Sequence, residues 1–124
     1  MGLGQGRLVD AVWAMARRSP VPVDVRVEGT VAASEEVERA LYYVCAEALV
    51  NVHRHARASG ATAVLGGDSG MVRIRISDDG IGGADPGRPG LSGLADRVAM
   101  LGGRLRVDSP PGAGTILSAE LPSS

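Results

Sequence analysis

One run of residues limits the possible folds more than any other. Val37, Leu41, Val44, Ala48 and Val52 recur one helical turn apart. Ser34 stands where an N-cap belongs, and Glu35 and Glu36 suit a first turn. Gly60 stops the pattern. The spacing therefore predicts one long helix from Ser34 to about Ala58. Its single apolar stripe must be buried against something, and the remaining sequence supplies mostly strands.

Before the helix, Val21, Val23, Val25 and Val27 alternate with Pro22, Asp24, Arg26 and Glu28, the period of a half-buried strand. Pro22 near its start places it at a sheet edge. After the helix, Thr62 to Leu65 reads as a short strand and Gly66 to Gly70 as a hairpin turn. Val72, Ile74 and Ile76 then alternate with Arg73, Arg75 and Ser77. A last hairpin combines Leu105 and Val107 with Ile116, Leu117, Ala119 and Leu121 across Pro110 to Gly114. Two further helical patterns complete the chain. The first contains Leu8, Val9, Val12 and Ala16 and is ended by Arg17 to Pro20. The second contains Leu94, Val98 and Leu101 and is ended by Gly102-Gly103. No repeat or long linker divides the 124 residues, so 1–124 is expected to be one domain. The expected fold class is α/β (α+β): a two-layer sandwich with one mixed, mostly antiparallel sheet and helices on one face.

Composition excludes several functions. Net charge is −1, without the basic excess that marks a nucleic-acid binder. Trp13, Tyr42 and Tyr43 are the only aromatics, too few for base-stacking platforms. Cys45 is the single cysteine, so no intramolecular disulfide forms and no zinc-type cysteine pair exists. His53 and His55 project to nearly opposite sides of a helix and cannot share one ion. The apolar run from Ala40 to Val50 is broken by Glu47 and is too short to span a bilayer. Met1 to Asp10 lacks signal-peptide features. A cytoplasmic domain is expected, without membrane contact of its own, from a parent that could be membrane-anchored.

The chemistry lies on one helix flank and in the glycine-rich loops. Glu47, Asn51 and Arg54 fall at i, i+4 and i+7, beside the apolar stripe. They offer a carboxylate that can orient a nucleophile, a carbonyl that can ligate a hard cation, and a guanidinium that can pair with phosphate. The same residues would also serve as a solvated helix edge. Asp78 ends a strand just before Gly80 and Gly82, where a fixed carboxylate can accept from an exocyclic amine. Asp-Gly is equally a common turn pair. Gly90-Leu91-Ser92-Gly93-Leu94 opens a helix, and free amides there suit an anion. The sequence contains no Lys, which excludes the lysine-bearing phosphate loop, and no Gly-x-Ser-x-Gly elbow.

Four motifs in order carry a resemblance. They are Glu47-x3-Asn51-x3-His55-Ala56, Asp78-x-Gly80-x-Gly82, Gly90-Leu-x-Gly-Leu-x-x-Arg-Val98, and Gly112-x-Gly114-Thr115. Together they resemble the ATP-binding domain of sensor histidine kinases, in the branch whose response regulators carry LuxR/NarL-type DNA-binding domains. The resemblance spans nearly the whole chain and implies the Bergerat ATP-binding fold. It implies that ATP and Mg²⁺ are bound, with Asn51 on the metal and Glu47 orienting the attacking group. Arg54 stands where the family often has Lys and would touch phosphate. Asp78 would accept the adenine amine, with Gly80 and Gly82 shaping that wall. Gly90 and the amides of Ser92, Gly93 and Leu94 would meet phosphate, and Thr115 would close the adenine pocket. The loop from Gly83 to Pro89 would be a short lid. Arg88-Pro89 replaces a glycine-containing hinge usual in the family, and Arg88 could compensate by contacting phosphate. The phosphoryl acceptor would be a histidine on a separate dimerisation domain, because His53 and His55 both lie inside the ATP-site motif. A response regulator would be an indirect partner, and the isolated domain is expected to be a monomer. Two alternatives stay open: a serine kinase of the anti-sigma-factor type, and a nucleotide-binding regulatory module without transfer activity.

Overall fold

The structure, a computed structural model, describes residues 3–54, 57–85, 87 and 89–124. Side chains of 3–6, 54 and 89 fall outside that description. The expected positions His55, Ala56 and Arg88 lie outside the described residues, as does the side chain of Arg54. The elements are α1 (Leu3–Arg18), β1 (Val23–Gly29), α2 (Glu35–Arg54), β2 (Ala61–Asp68), β3 (Met71–Asp78), α3 (Pro89–Met100), β4 (Arg104–Asp108) and β5 (Thr115–Pro122).

The helix ends follow local chemistry. Ser34 Oγ accepts the Val37 N–H at 3.3 Å, which caps α2, and Glu35, Glu36 and Glu38 sit at the favourable end of its dipole. α3 closes where the Gly102 N–H reaches the Ala99 carbonyl and the Gly103 N–H reaches Val98, at 3.0 and 2.9 Å. Gly102 has φ +81°, the left-handed residue that this closure requires. α1 starts five residues before Leu8, at Leu3-Gly4-Gln5-Gly6, where two glycines hide the helical pattern in the sequence.

The sheet order is β1-β2-β3-β5-β4. β1 pairs parallel with β2, and the other pairs are antiparallel. β1 is an edge strand, as Pro22 indicated. Its alternation is only partly realised, because Val25 is buried whereas Val27 is 44% exposed. β2 is longer than expected. Gly66 and Gly67 are not turn residues but pair with Glu28 and Gly29 on one side and with Arg73 and Val72 on the other. The turn itself is Ser69-Gly70, with both φ values positive, the handedness that matches strand twist.

Register explains where a site can form. Across β2, β3, β5 and β4, one row facing the helices is Ala63, Ile76, Leu117 and Val107, and the next is Leu65, Ile74, Ala119 and Leu105. These rows pack with Val37, Leu41, Val44 and Ala48 of α2 to form the core. One step further, the row becomes Ala61, Asp78 and Thr115. The face that is apolar for most of its length thus turns polar at one end, beneath the C-terminal half of α2.

Candidate functional site

At that polar end, a narrow cleft is lined by Asn51 from α2, Asp78 from β3 and Thr115 from β5, with Ile76, Ala84 and Leu91 among its apolar walls. Asn51 is buried, and its amide makes no hydrogen bond among the described residues. Thr115 is also buried. Asp78 Oδ1 accepts the Gly80 N–H at 2.8 Å. This turn bond orients the carboxylate and leaves Oδ2 for a ligand.

The neighbouring Asp79 has a different task. Successive side chains of a strand point to opposite faces. Asp79 accepts from the Ser59 hydroxyl, the Ser59 N–H and the Gly60 N–H, tying the end of β3 to the chain entering β2. These bonds, the Ser59 hydroxyl first, hold its carboxyl below the usual aspartate value. A larger open groove of about 670 Å³ runs past Asp79 and Asp24. Asp24 pairs with Arg26 and Asp79 with the Ser59–Gly60 segment, while Asp78 borders this groove as well as the narrow cleft.

The loop after β3 is strapped to the β4–β5 turn. The Gly83 N–H donates to the Ser109 carbonyl at 2.7 Å, and the Gly112 N–H to the Ile81 carbonyl at 2.5 Å. The Ala84 N–H donates to Ser109 Oγ at 2.9 Å, and that hydroxyl lies 2.6 Å from Thr115 Oγ1. Gly82 has φ +68°, and a Cβ there would collide with the Pro110 carbonyl. Its glycine requirement is therefore set by this strap. Gly80 and Gly82, expected to wall the ligand, shape the turn that carries Asp78 and are not among the residues lining this narrow cleft.

Glu47 and Asn51 share a helix flank, as their spacing indicated, but open into different spaces. Glu47 lines an outer groove of about 400 Å³ with Tyr43, Val50, Gly90, Gly93, Leu94 and Arg97. The first turn of α3 separates it from the Asn51 cleft. Leu91 enters the cleft and is buried, while Gly90 passes over Glu47. A Cβ on Gly90 would be 2.9 Å from the Glu47 carboxylate, so only glycine fits there without displacing it. Glu47 thus lies at the positive end of α3, where an anion is favoured. Ser92 is half-buried in the same segment. Arg97 stacks over the Tyr43 ring at 5.0 Å and fastens α3 to α2. With Leu91 in place the cleft has a free volume of about 10 Å³, room for one water molecule. A larger ligand can enter only if Leu91 and Ala84 move apart.

A family model described as histidine kinase-, DNA gyrase B-, and HSP90-like ATPase matches residues 36–124. This chain belongs to that ATPase family. Among relatives of this ATPase domain, the sensor histidine kinase MctS of Rhizobium johnstonii is 38% identical over 120 residues, covering 90% of this chain and 26% of that protein. The sensor histidine kinase LiaS of Bacillus subtilis is 30% identical over 125 residues, covering 98% of this chain and 34% of that protein. The chain therefore spans a quarter to a third of the length of these relatives. The solved ATP-binding domain of PrrB from Mycobacterium tuberculosis superposes with a TM-score of 0.73 at 22% identity, covering 97% of this chain and 93% of that one. Its fold is the α/β fold described above.

Of the residues expected to form the ATPase site, Asn51, Asp78 and Thr115 converge on one cleft. Glu47, Gly90, Gly93 and Leu94 line the adjoining groove. Gly83 belongs to the strap. Sequence reasoning missed Leu91 as the residue filling the cleft and Ser109 as the anchor of the strap. Ser109 precedes the Gly112-x-Gly114-Thr115 motif by only a few residues, but nothing in that spacing marks its hydroxyl as a partner of Thr115.

Proposed function

We propose that this chain is the catalytic, ATP-binding domain of a sensor histidine kinase, which binds Mg-ATP and passes the γ-phosphoryl group to a histidine on a separate phosphoacceptor and dimerisation domain. The observation that carries this reading is the convergence of Asn51, Asp78 and Thr115, from three elements, on one cleft. Asp78 would accept from the adenine amine through Oδ2, the oxygen its turn bond leaves over. The Asn51 amide, buried and without a hydrogen bond among the described residues, suits a metal ligand, since Mg²⁺ takes few protein ligands and completes its shell with phosphate and water. When bound, Mg²⁺ neutralises phosphate charge. Arg54 and Arg88 as phosphate contacts rest on the sequence resemblance alone.

In the transfer, the acceptor imidazole nitrogen forms a bond to the γ-phosphorus. The bond from that phosphorus to its bridging oxygen breaks, ADP leaves, and the imidazole proton passes to the Glu47 carboxylate. Glu47 already faces an open groove from which an acceptor helix can approach. A phosphate at the start of α3 would replace the present Glu47–Gly90 contact, so nucleotide entry and the freeing of Glu47 are one event. The acceptor domain, any membrane anchor and the link to a LuxR/NarL-type response regulator belong to the parent kinase, whose cytoplasmic part would contain this domain.

The test mixes this chain, γ-labelled ATP and a separately produced acceptor domain. Acid-labile label on the acceptor histidine is the expected result. Nucleotide binding without transfer would favour a regulatory module, a reading that the filled cleft supports. Label on serine would favour the serine-kinase alternative.

A further inference from the structure

Ser109 makes three of the contacts that hold the strap and the cleft together. Its carbonyl accepts the Gly83 N–H, its hydroxyl oxygen accepts the Ala84 N–H, and the same oxygen lies 2.6 Å from Thr115 Oγ1. A serine hydroxyl has one hydrogen and two lone pairs. With the Ala84 N–H on one lone pair, Ser109 keeps a second lone pair and its hydrogen, so either hydroxyl has the capacity to donate to the other; accepting the N–H polarises the Ser109 O–H and favours it as the donor to Thr115. The Thr115 hydrogen is then left to point away from Ser109. Thr115 lines the cleft and is the register partner of Asp78 across β3 and β5.

We infer that Ser109 is a positioning residue that fixes the Thr115 hydroxyl as a donor into the cleft and couples it to the base of the lid. The inference rests on reading the cleft as a nucleotide-base site. Asp78 then presents an acceptor and Thr115 a donor, side by side. That pair complements a base edge with an amine beside a ring nitrogen. A base edge with a carbonyl beside a ring N–H presents the reverse pattern and meets like against like. The order then runs from the Ala84 N–H through Ser109 to Thr115, so one bond in the strap biases the polarity of the base site. When the lid base lifts, the Ser109 oxygen is released and Thr115 can turn its hydrogen back to it.

The experiment measures ATP and ITP affinities by calorimetry for the natural chain, Ser109→Ala, Ser109→Thr and Thr115→Val. ITP replaces the adenine amine with a carbonyl, so the ratio reads the donor–acceptor order. Ser109→Ala should weaken ATP binding by about two- to tenfold, the range for one hydrogen bond, and leave ITP nearly unchanged, narrowing the ratio. Ser109→Thr should restore it. The Ser109→Ala and Thr115→Val effects should fall well short of adding, because both remove one relay. Amide exchange at 81–85 should quicken in Ser109→Ala without nucleotide. Equal weakening of ATP and ITP, or no change in either, overturns the inference. If the natural chain binds neither nucleotide, the base-site reading fails first. Unchanged exchange at 81–85 would separately remove the coupling to the lid.

Discussion

Asp78 Oδ1 is satisfied by its own turn, whereas Oδ2 has no protein donor among the described residues, and the residue borders the narrow cleft. Asp78→Asn keeps that turn acceptor but replaces Oδ2 with a donor in one amide orientation and removes the charge in both. For the natural chain, a nucleotide at about a hundred times its dissociation constant adds roughly 2.7 kcal/mol, which is a rise in Tm on the order of 10 °C. Asp78→Asn should lose most of that rise while its Tm without nucleotide stays close to the natural value; thermal unfolding with and without Mg-ATP measures both. Asp79 gives the opposite pattern. Its carboxyl titrates below the ordinary value of 3.8 in the folded state. Its contribution is therefore complete above the unfolded-state pKa and disappears as pH falls through the folded one. Asp79→Asn should be less stable than the natural chain at neutral pH, and the gap should narrow as pH falls below the ordinary carboxylate value of 3.8 and close once it has passed the lower folded-state value. A gap independent of pH would show that charge is irrelevant to the Ser59–Gly60 tie. Cys45 adds a third case. It is fully buried, and burial pushes its thiol up to about 12. Thiol reagents at pH 8 should modify it only at the rate of unfolding, and a faster rate would reveal local opening of α2.

The first turn of α3 decides whether the cleft is open. Leu91→Ala removes a buried side chain, and such changes cost about 2–5 kcal/mol where the structure cannot collapse into the gap. The same change clears the entrance between Asn51 and Thr115. The variant should have a lower Tm and a higher affinity for ATP, because less closing contact must be broken. A calorimetric titration that showed weaker binding would mean that Leu91 supports the nucleotide and does not exclude it. This element also separates what was legible in the sequence from what was not. The cap of α2 at Ser34 and the closing glycines of α3 rest on neighbours a few residues away, so local chemistry reveals them, whereas the far end of α2, expected near Ala58, was not legible: the helix is described to Arg54 and Arg57 is left-handed at φ +51°. The same holds for the two hairpins, except at Gly66 and Gly67. There pairing with Glu28 and Gly29 of a parallel strand overrode the turn preference of glycine. Asn51, Asp78 and Thr115 could be read because a motif order ties them together. Leu91 in the cleft, Gly90 against Glu47 and Ser109 beside Thr115 depend on how α3 and the β4–β5 turn settle on α2, which no local pattern encodes.

At the scale of the whole molecule, the second face of the sheet explains why the chain should remain single. Register puts Arg26, Val64, Arg75, Ser118 and Arg106 in one row across all five strands, and Glu28, Gly66, Arg73, Glu120 and Arg104 in the next. Opposite charges alternate along the second row, and Arg73 bonds Asp68 at 3.0 Å. Such a face, with half-buried Val64 and Ile116 set among charged and polar neighbours, offers little apolar area to hide. The edges are guarded too: β1 carries Asp24, Arg26 and Glu28, and β4 carries Arg104, Arg106 and Asp108. Charged edge strands resist pairing with a second copy, because each added strand would bury unmatched charge. On the helix side, Trp13, Tyr42 and Tyr43 are each only partly exposed, and Tyr43 already holds Arg97. Light scattering should therefore give the monomer mass of 12.7 kDa, with or without nucleotide. A net charge of −1 offers little long-range repulsion, so weak association at low salt would remain compatible with this reading if it vanished on dilution. A dimer that survived dilution would contradict it and direct attention to Trp13 and Tyr42, the largest apolar groups on the helix layer without a partner element over them.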